Sequence, residues 1–242
     1  MKQITKLTIV GILTLLVFTA CNASWNGVKG NGYKTTETRN VSSFDGIEVA
    51  GSYDVQLVKG KEGEITIDAE ENLIEYIITE VENNTLHIYT KDGYSINSRK
   101  GIHIKVNVNT IASARLAGSG SITSNETYAT NMFTTSVTGS GDIYFKINAK
   151  KTEATVTGSG DLELEGTTEE FRADITGSGD IQAYRLTSSD AKVTISGSGG
   201  VELYCKQSLK ANITGSGDIN YKGNPVTREL NTAGSGNITK VN

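Results

Sequence analysis

Apolar and polar positions alternate in the same way around seven G-S-G tracts that punctuate the second half of the chain. The leading glycines are Gly118, Gly139, Gly158, Gly177, Gly197, Gly215 and Gly234, at steps of 21, 19, 19, 20, 18 and 19 residues. Two residues before each stand Leu116, Val137, Val156, Ile175, Ile195, Ile213 and Thr232; four after stand Ile122, Ile143, Leu162, Ile181, Val201, Ile219 and Ile238. Phe145, Leu164, Ala183, Leu203 and Tyr221 follow two further on, with Ser124 and Lys240 breaking that column at its ends. Alternation at period two is the signature of strands, and a glycine pair between them supplies a corner needing positive φ or close backbone approach. A fixed period near 20 marks a solenoid, whose repeats bury their apolar faces only by stacking. The chain is therefore expected to be all-β, a parallel β-helix of roughly 19-residue coils. A leucine-rich repeat would need a leucine and asparagine framework that is absent. Flexible G-S-G linkers would not carry an aliphatic residue at one offset seven times.

The pattern is looser before the repeats. Residues 38–110 read as irregular first coils and 111–242 as the G-S-G repeats of one domain, 38–242. Gly51-Ser52-Tyr53-Asp54-Val55 resembles a degenerate first corner. Glu71 to Ile77 carries apolar residues at helical spacing and predicts one short helix, placed to cover the open end of the solenoid. His87 and His103 alternate with aliphatic residues and are expected to face outward.

The first residues change the picture of location. Lys2 and Lys6 precede an apolar run from Leu7 to Phe18 that ends in Thr19-Ala20-Cys21. A basic start, a short apolar stretch and a small residue before the cut describe a secretory signal over 1–20. Val17-Phe18-Thr19-Ala20-Cys21 resembles a bacterial lipobox, with Phe18 in place of the usual leucine; it predicts lipidation at Cys21 and membrane attachment through the lipid. Residues 21–37, rich in Ser, Asn, Gly, Lys and Thr around the lone Trp25, are expected to form a tether. With Cys21 acylated, Cys205 has no partner and is expected as a small buried hydrophobe beside Val201 and Leu203.

Composition narrows the chemistry. The 242 residues hold 27 Gly, 1 Pro, 2 His and 2 Cys at a formal charge of −4, with scattered lysines, which gives no reason to expect nucleic acid. The best candidate site is the column three residues after each leading glycine: Ser121, Asp142, Asp161, Asp180, Gly200, Asp218 and Asn237. Stacked at the strand spacing of about 4.8 Å, these carboxylates would repel unless splayed, protonated or bridged. Two readings follow: a weak calcium site, calcium favouring clustered carboxylates, or Asx-type capping in which each Asp bonds a backbone N–H at its own corner. The parallel column of serines, Ser119 to Ser235, is expected to be structural, its hydroxyls bonding one another. No Ser/His/Asp arrangement, H-E-x-x-H or phosphate loop appears, and no cofactor is called for.

Thr38-Arg39-Asn40-Val41, Phe44-Asp45-Gly46-Ile47-Glu48-Val49, Asp54-Val55-Gln56-Leu57 and the run from Asn72-Leu73 to Leu86-His87-Ile88 resemble the start of the head GIN domain, and the G-S-G-[DN]-[IL] repeats resemble its second half. That family is labelled as auto-transporter adhesins and is common among outer-membrane lipoproteins of Bacteroidetes. The resemblance implies a right-handed parallel β-helix at the cell envelope, on the periplasmic or surface face of the outer membrane, and no established catalytic residues. The expectation is a non-enzymatic, adhesin-like module presenting a repetitive polar face to glycan or protein. Its alternatives are a scaffold without a ligand and, less favoured, a polysaccharide-active β-helix enzyme.

Overall fold

The computed structural model describes residues 26–242. Cys21, Trp25 and the expected signal sequence over 1–20 lie outside the described residues. In the N-terminal part the strands are β1 (Asn26–Lys29), β2 (Lys34–Asn40), β3 (Gly46–Gly51), β4 (Asp54–Val58) and β5 (Glu64–Glu70). A 3-10 helix (Glu71–Tyr76) follows, then β6 (Ile77–Glu82), β7 (Thr85–Thr90), β8 (Tyr94–Asn97) and β9 (His103–Asn107). The repeats supply β10 (Ser113–Gly118), β11 (Ser121–Gly139), β12 (Asp142–Gly158), β13 (Leu162–Gly177), β14 (Ile181–Gly197), β15 (Gly200–Gly215), β16 (Asp218–Lys222), β17 (Thr227–Gly234) and β18 (Ile238–Lys240).

From β10 onward every pairing is parallel and one coil apart, so that Gly118, Gly139, Gly158, Gly177, Gly197, Gly215 and Gly234 stack in register. This is the expected parallel β-helix. The columns point as their parity requires: Ile143, Leu162, Ile181, Val201 and Ile219 are buried, as are Val137, Val156, Ile175, Ile195 and Ile213. Each such side chain contributes about 1.5–3 kcal/mol on burial. A second bend lies between Ile147 and Thr152, where the buried parity switches from odd to even residues. Phe133 and Phe145, ring centroids 5.3 Å apart, fill the core where the β12 positions Thr152 and Ala154 are small.

The corners need glycine for two reasons. Gly139, Gly158 and Gly177 hold φ of 119°, 120° and 128°, and a Cβ on any of them would overlap the carbonyl oxygen of the glycine one coil earlier. That carbonyl accepts the amides of the next corner, Ser159 N–H at 2.8 Å and Gly160 N–H at 3.1 Å on Gly139 O. The corner thus continues the sheet's hydrogen bonding round the bend.

The two ends depart from the repeat. At the N-terminal end β7 stacks on β3, and β6 closes antiparallel on β7 through Asn83 and Asn84, both at positive φ (48° and 63°) as a two-residue type I′ hairpin turn demands. The expected helix at Glu71–Tyr76 is 3-10 rather than α; six residues are too few to repay α-helix nucleation, and Leu73 and Ile74 hold it to the core. Arg39 caps it, donating from its guanidinium to Ile74 O (3.1 Å) and Ile77 O (2.6 Å). At the C-terminal end the inward column changes from Leu209 to Arg228, from Ile213 to Thr232 and from Tyr221 to Lys240, and β17 is exposed along its length. Polar residues in this coil leave its uncovered face compatible with water.

Of the residues expected as tether, Asn26–Lys29 and those from Lys34 onward are strand. β1 pairs parallel with β8, and β2 pairs antiparallel with β5 from Lys34↔Glu70 to Asn40↔Glu64. The loop between them is held by Glu70, a fully buried carboxylate that accepts from Gly32 N–H (2.9 Å), Ser98 Oγ (2.6 Å) and Arg99 N–H (2.9 Å). The Ser98 hydroxyl above all, with these amides, holds the Glu70 carboxyl below its ordinary range against the opposing effect of burial. Polar strands such as β2 are stable because β5 offers an unpaired edge, a contact that composition cannot reveal. Cys205 is buried and unpaired among the described residues, its thiol pushed up by burial.

Candidate functional site

The Asp column lies where the repeat places it, along the edge at which each corner hands over to the next strand. Asp142, Asp161, Asp180, Asp218 and Asn237 are all exposed. Their carboxylates do not cap their own corners, as the Asx reading expects, but reach forward one coil. Asp142 Oδ1 accepts Asp161 N–H at 3.2 Å, Asp161 Oδ1 accepts Asp180 N–H at 3.1 Å, and Asp180 Oδ1 accepts Gly200 N–H at 2.6 Å. Asp218 Oδ1 takes the amide of Asn237 at 2.8 Å and its side-chain Nδ2 at 3.3 Å. The reason is local. The bend turns these amides away from the ladder, and a short acceptor on the coil before reaches them without leaving the stack. One oxygen of each carboxylate is committed in this way, and the like charges sit on amide donors that offset their repulsion. Among the described residues no three His, Cys, Asp or Glu side chains come together as metal ligands.

The row is longer than the repeats. Ser121 pairs with Asp54, Asp54 with His103 and His103 with Asp68, so the line runs on through β4, β9 and β5. Ser121 Oγ donates to Asp54 Oδ1 at 3.0 Å, His103 Nδ1 stands 3.5 Å from Asp54 Oδ2, and Lys34 Nζ lies 3.2 Å from Asp68. A serine, an aspartate and a histidine are therefore brought together, which the sequence did not disclose. Their order is wrong for the serine triad, because the aspartate stands between serine and histidine and the imidazole does not touch the hydroxyl. From Asp68 to Asn237 the row crosses ten strands and, at about 4.8 Å a step, measures about 43 Å. Asp54 was accessible from the degenerate corner Gly51-Ser52-Tyr53-Asp54; His103 and Asp68 were not, because their pairings join distant segments.

The row has one gap. Gly200 stands where the period calls for aspartate, and a cavity of 330 Å³ opens there beside Asp180, Gln182, Glu202, Asp218 and Asn220. The serines of the corners are exposed, and among the described residues no hydrogen bond joins one hydroxyl to the next, contrary to the stacked network expected. Amides and carbonyls of the corner carry the stack instead.

Residues 43–225 match the family described as "Putative auto-transporter adhesin, head GIN domain". A "putative adhesin" of Bacteroides fragilis has the same fold, with a TM-score of 0.84 at 22% identity over 89% of this chain and 100% of that one. A "putative lipid binding protein" of Parabacteroides distasonis superposes with a TM-score of 0.75 at 29% identity, covering 90% and 100% of the two chains. A "putative adhesin" of the same species gives 0.71 at 26% identity over 89% and 100%. No functionally curated protein matches.

Proposed function

Because the chain belongs to the family of auto-transporter adhesin, head GIN domains, we propose that it is a non-enzymatic, adhesin-like binding module held at the cell envelope by a lipid on Cys21. Its polar row meets glycan or protein. The observation that carries this reading is the forward hydrogen bonding of the row. Each carboxylate is fixed by the amide of the next coil, so acceptor oxygens stand at one repeated spacing on a rigid rod. Such an array gives little affinity per contact and gains it by repetition, as adhesion to a repeating surface requires. The family description and the name of the Parabacteroides distasonis adhesin are in keeping with an adhesin-like role. An enzyme reading is not favoured, because the Ser121–Asp54–His103 order is not that of a serine triad.

The test is binding of the mature chain to a glycan and envelope-protein array, comparing wild type with Asp142, Asp161, Asp180 and Asp218 all changed to Asn. Asparagine keeps the Oδ1 acceptor and removes only the charge, so melting should change little while array binding falls at least severalfold. Wild-type binding to nothing on the array would favour the scaffold reading. For the anchor, Cys21→Ser should move the protein from the membrane fraction to the soluble one; retention in the detergent phase would refute lipidation there.

A further inference from the structure

In every regular coil the chain turns the corner in three residues, Gly-Ser-Gly. The first coil does not. Tyr89 pairs with Ala50 and His103 with Asp54, so β7 and β9 flank the corner of β3 and β4 exactly one coil away, yet residues 90–102 take the place of the tight turn. This excursion carries β8 and stands off the rod, and between it and the corner Gly51-Ser52-Tyr53 lies a groove of 650 Å³. That volume is within the range of about 300–1,000 Å³ usual for small-molecule sites.

The lining has two kinds of surface. Tyr89 and Tyr94 supply aromatic faces beside the buried Tyr53, and Asp92, Ser95 and Asn97 supply a carboxylate, a hydroxyl and an amide. The tyrosines are held in place. The Tyr89 hydroxyl donates to Glu80 Oε1 at 2.5 Å, and this bond pushes its pKa up to about 12. Tyr94 packs on Tyr76 with ring centroids 4.7 Å apart, under the Lys91 ammonium at 5.8 Å. Tyr53 shares a 2.5 Å hydrogen bond with Thr90 Oγ1. Rings fixed before binding lose little entropy on it. The side chains of Asp92, Ser95 and Asn97, by contrast, are exposed and form no hydrogen bond among the described residues.

We propose that this groove is a discrete saccharide-binding site, in which a sugar ring lays its C–H face on Tyr94 and Tyr89 and directs hydroxyls to Asp92 and Asn97. An aromatic face beside planar, bidentate-capable acceptors and donors is the chemistry that a pyranose matches, apolar on its ring faces and hydroxylated at its rim. An acyl chain fits worse. It would strip water from Asp92, Ser95 and Asn97 and return no hydrogen bond. The site rests on the reading of the chain as a binding module, but it is separate from the polar row and adds a ring-sized pocket to it.

Isothermal titration of the full mature chain, made soluble by Cys21→Ser, with cellohexaose, mannohexaose, xylohexaose and the N-acetylglucosamine hexamer tests the site. At least one sugar should bind, with a loss of about tenfold or more in Tyr94→Ala and in Asn97→Ala. Tyr94→Phe, which keeps the ring, should hold wild-type affinity, and melting curves verify that each variant is folded. Affinity unchanged in folded Tyr94→Ala and Asn97→Ala overturns the site; if Asp161→Asn then loses binding, the polar row alone is the binding surface. Binding of none of the sugars, or displacement of a bound sugar by palmitate, also overturns it.

Discussion

Thr135 offers a substitution that should raise stability. Its hydroxyl is the one buried side-chain polar atom without a hydrogen-bond partner among the described residues. It sits in the inward column between Ala114 and Ala154, in a fully buried position. Thr135→Val keeps the branched shape and replaces a stranded hydroxyl with a methyl. A buried polar group without a partner costs about 1–3 kcal/mol, so the gain should lie near 1 kcal/mol once small packing adjustments are discounted. For a chain of this size that is about 2–4 °C in Tm. Thr152 is the control, also fully buried, but with its Oγ1 3.1 Å from Thr168 Oγ1. Thr152→Val should gain nothing and lose about 0.5–1.5 kcal/mol. Urea midpoints read by circular dichroism, with m-values compared to detect loss of cooperativity in a repeat protein, measure both. A destabilised Thr135→Val, or equal gains in the two variants, would refute the reasoning.

Three other outcomes are expected. The folded-state pKa of Glu70 is lowered, so its contribution is complete above the unfolded value of about 4.3 and is lost as pH falls through the lower folded value; Glu70→Gln, whose amide can accept on only one side, should lower the urea midpoint at pH 7 and flatten its decline in acid, and an unchanged acid slope would count against this role. Gly160→Ala would place a Cβ on the Gly141 carbonyl and against Val137 Cγ1, so it should cost at least about 2–3 kcal/mol and lower Tm by several degrees, read by calorimetry. Asp161→Ala strips the acceptor from Asp180 N–H and should cost about 0.5–1.5 kcal/mol in a urea melt, whereas Asp161→Asn, which keeps that acceptor, should cost less than half as much.

What the sequence disclosed of this fold follows from how local each cause is. Ile143, Leu162 and Ile181 announce their column because every coil repeats the same inward parity, and Gly139 and Gly158 announce the corner because no other residue fits both its φ and its contact. The Asp row was legible for the same reason, but not its hydrogen bonds, since the partner of Asp161 is an amide one whole coil away. Lys34-Thr35-Thr36-Glu37, the first half of β2, reads as the end of the tether because it has no apolar face; it is strand through what β5 offers it. His103 and Asp68 meet through an antiparallel pairing that no repeat predicts.

The same contrast bears on where recognition can reside. A corner of three residues, stacked so closely that a Cβ would strike the coil before, leaves no room for a concavity of its own. Two pockets open where the period fails: at Gly200, where the aspartate is missing, and at residues 90–102, where a loop replaces the turn. The regular coils and the exceptions carry different tasks. Coils in register give a rod stiff enough to hold acceptors at fixed spacing, which suits many weak contacts with a repeating partner. The loop over Tyr53, Tyr89 and Tyr94 gives enclosure, without which a single ring could not be told from another. If both tasks are performed, the row should set avidity and the groove should set selectivity: charge removal along the row should weaken binding to every glycan alike, whereas Tyr94→Ala should change which glycan is preferred.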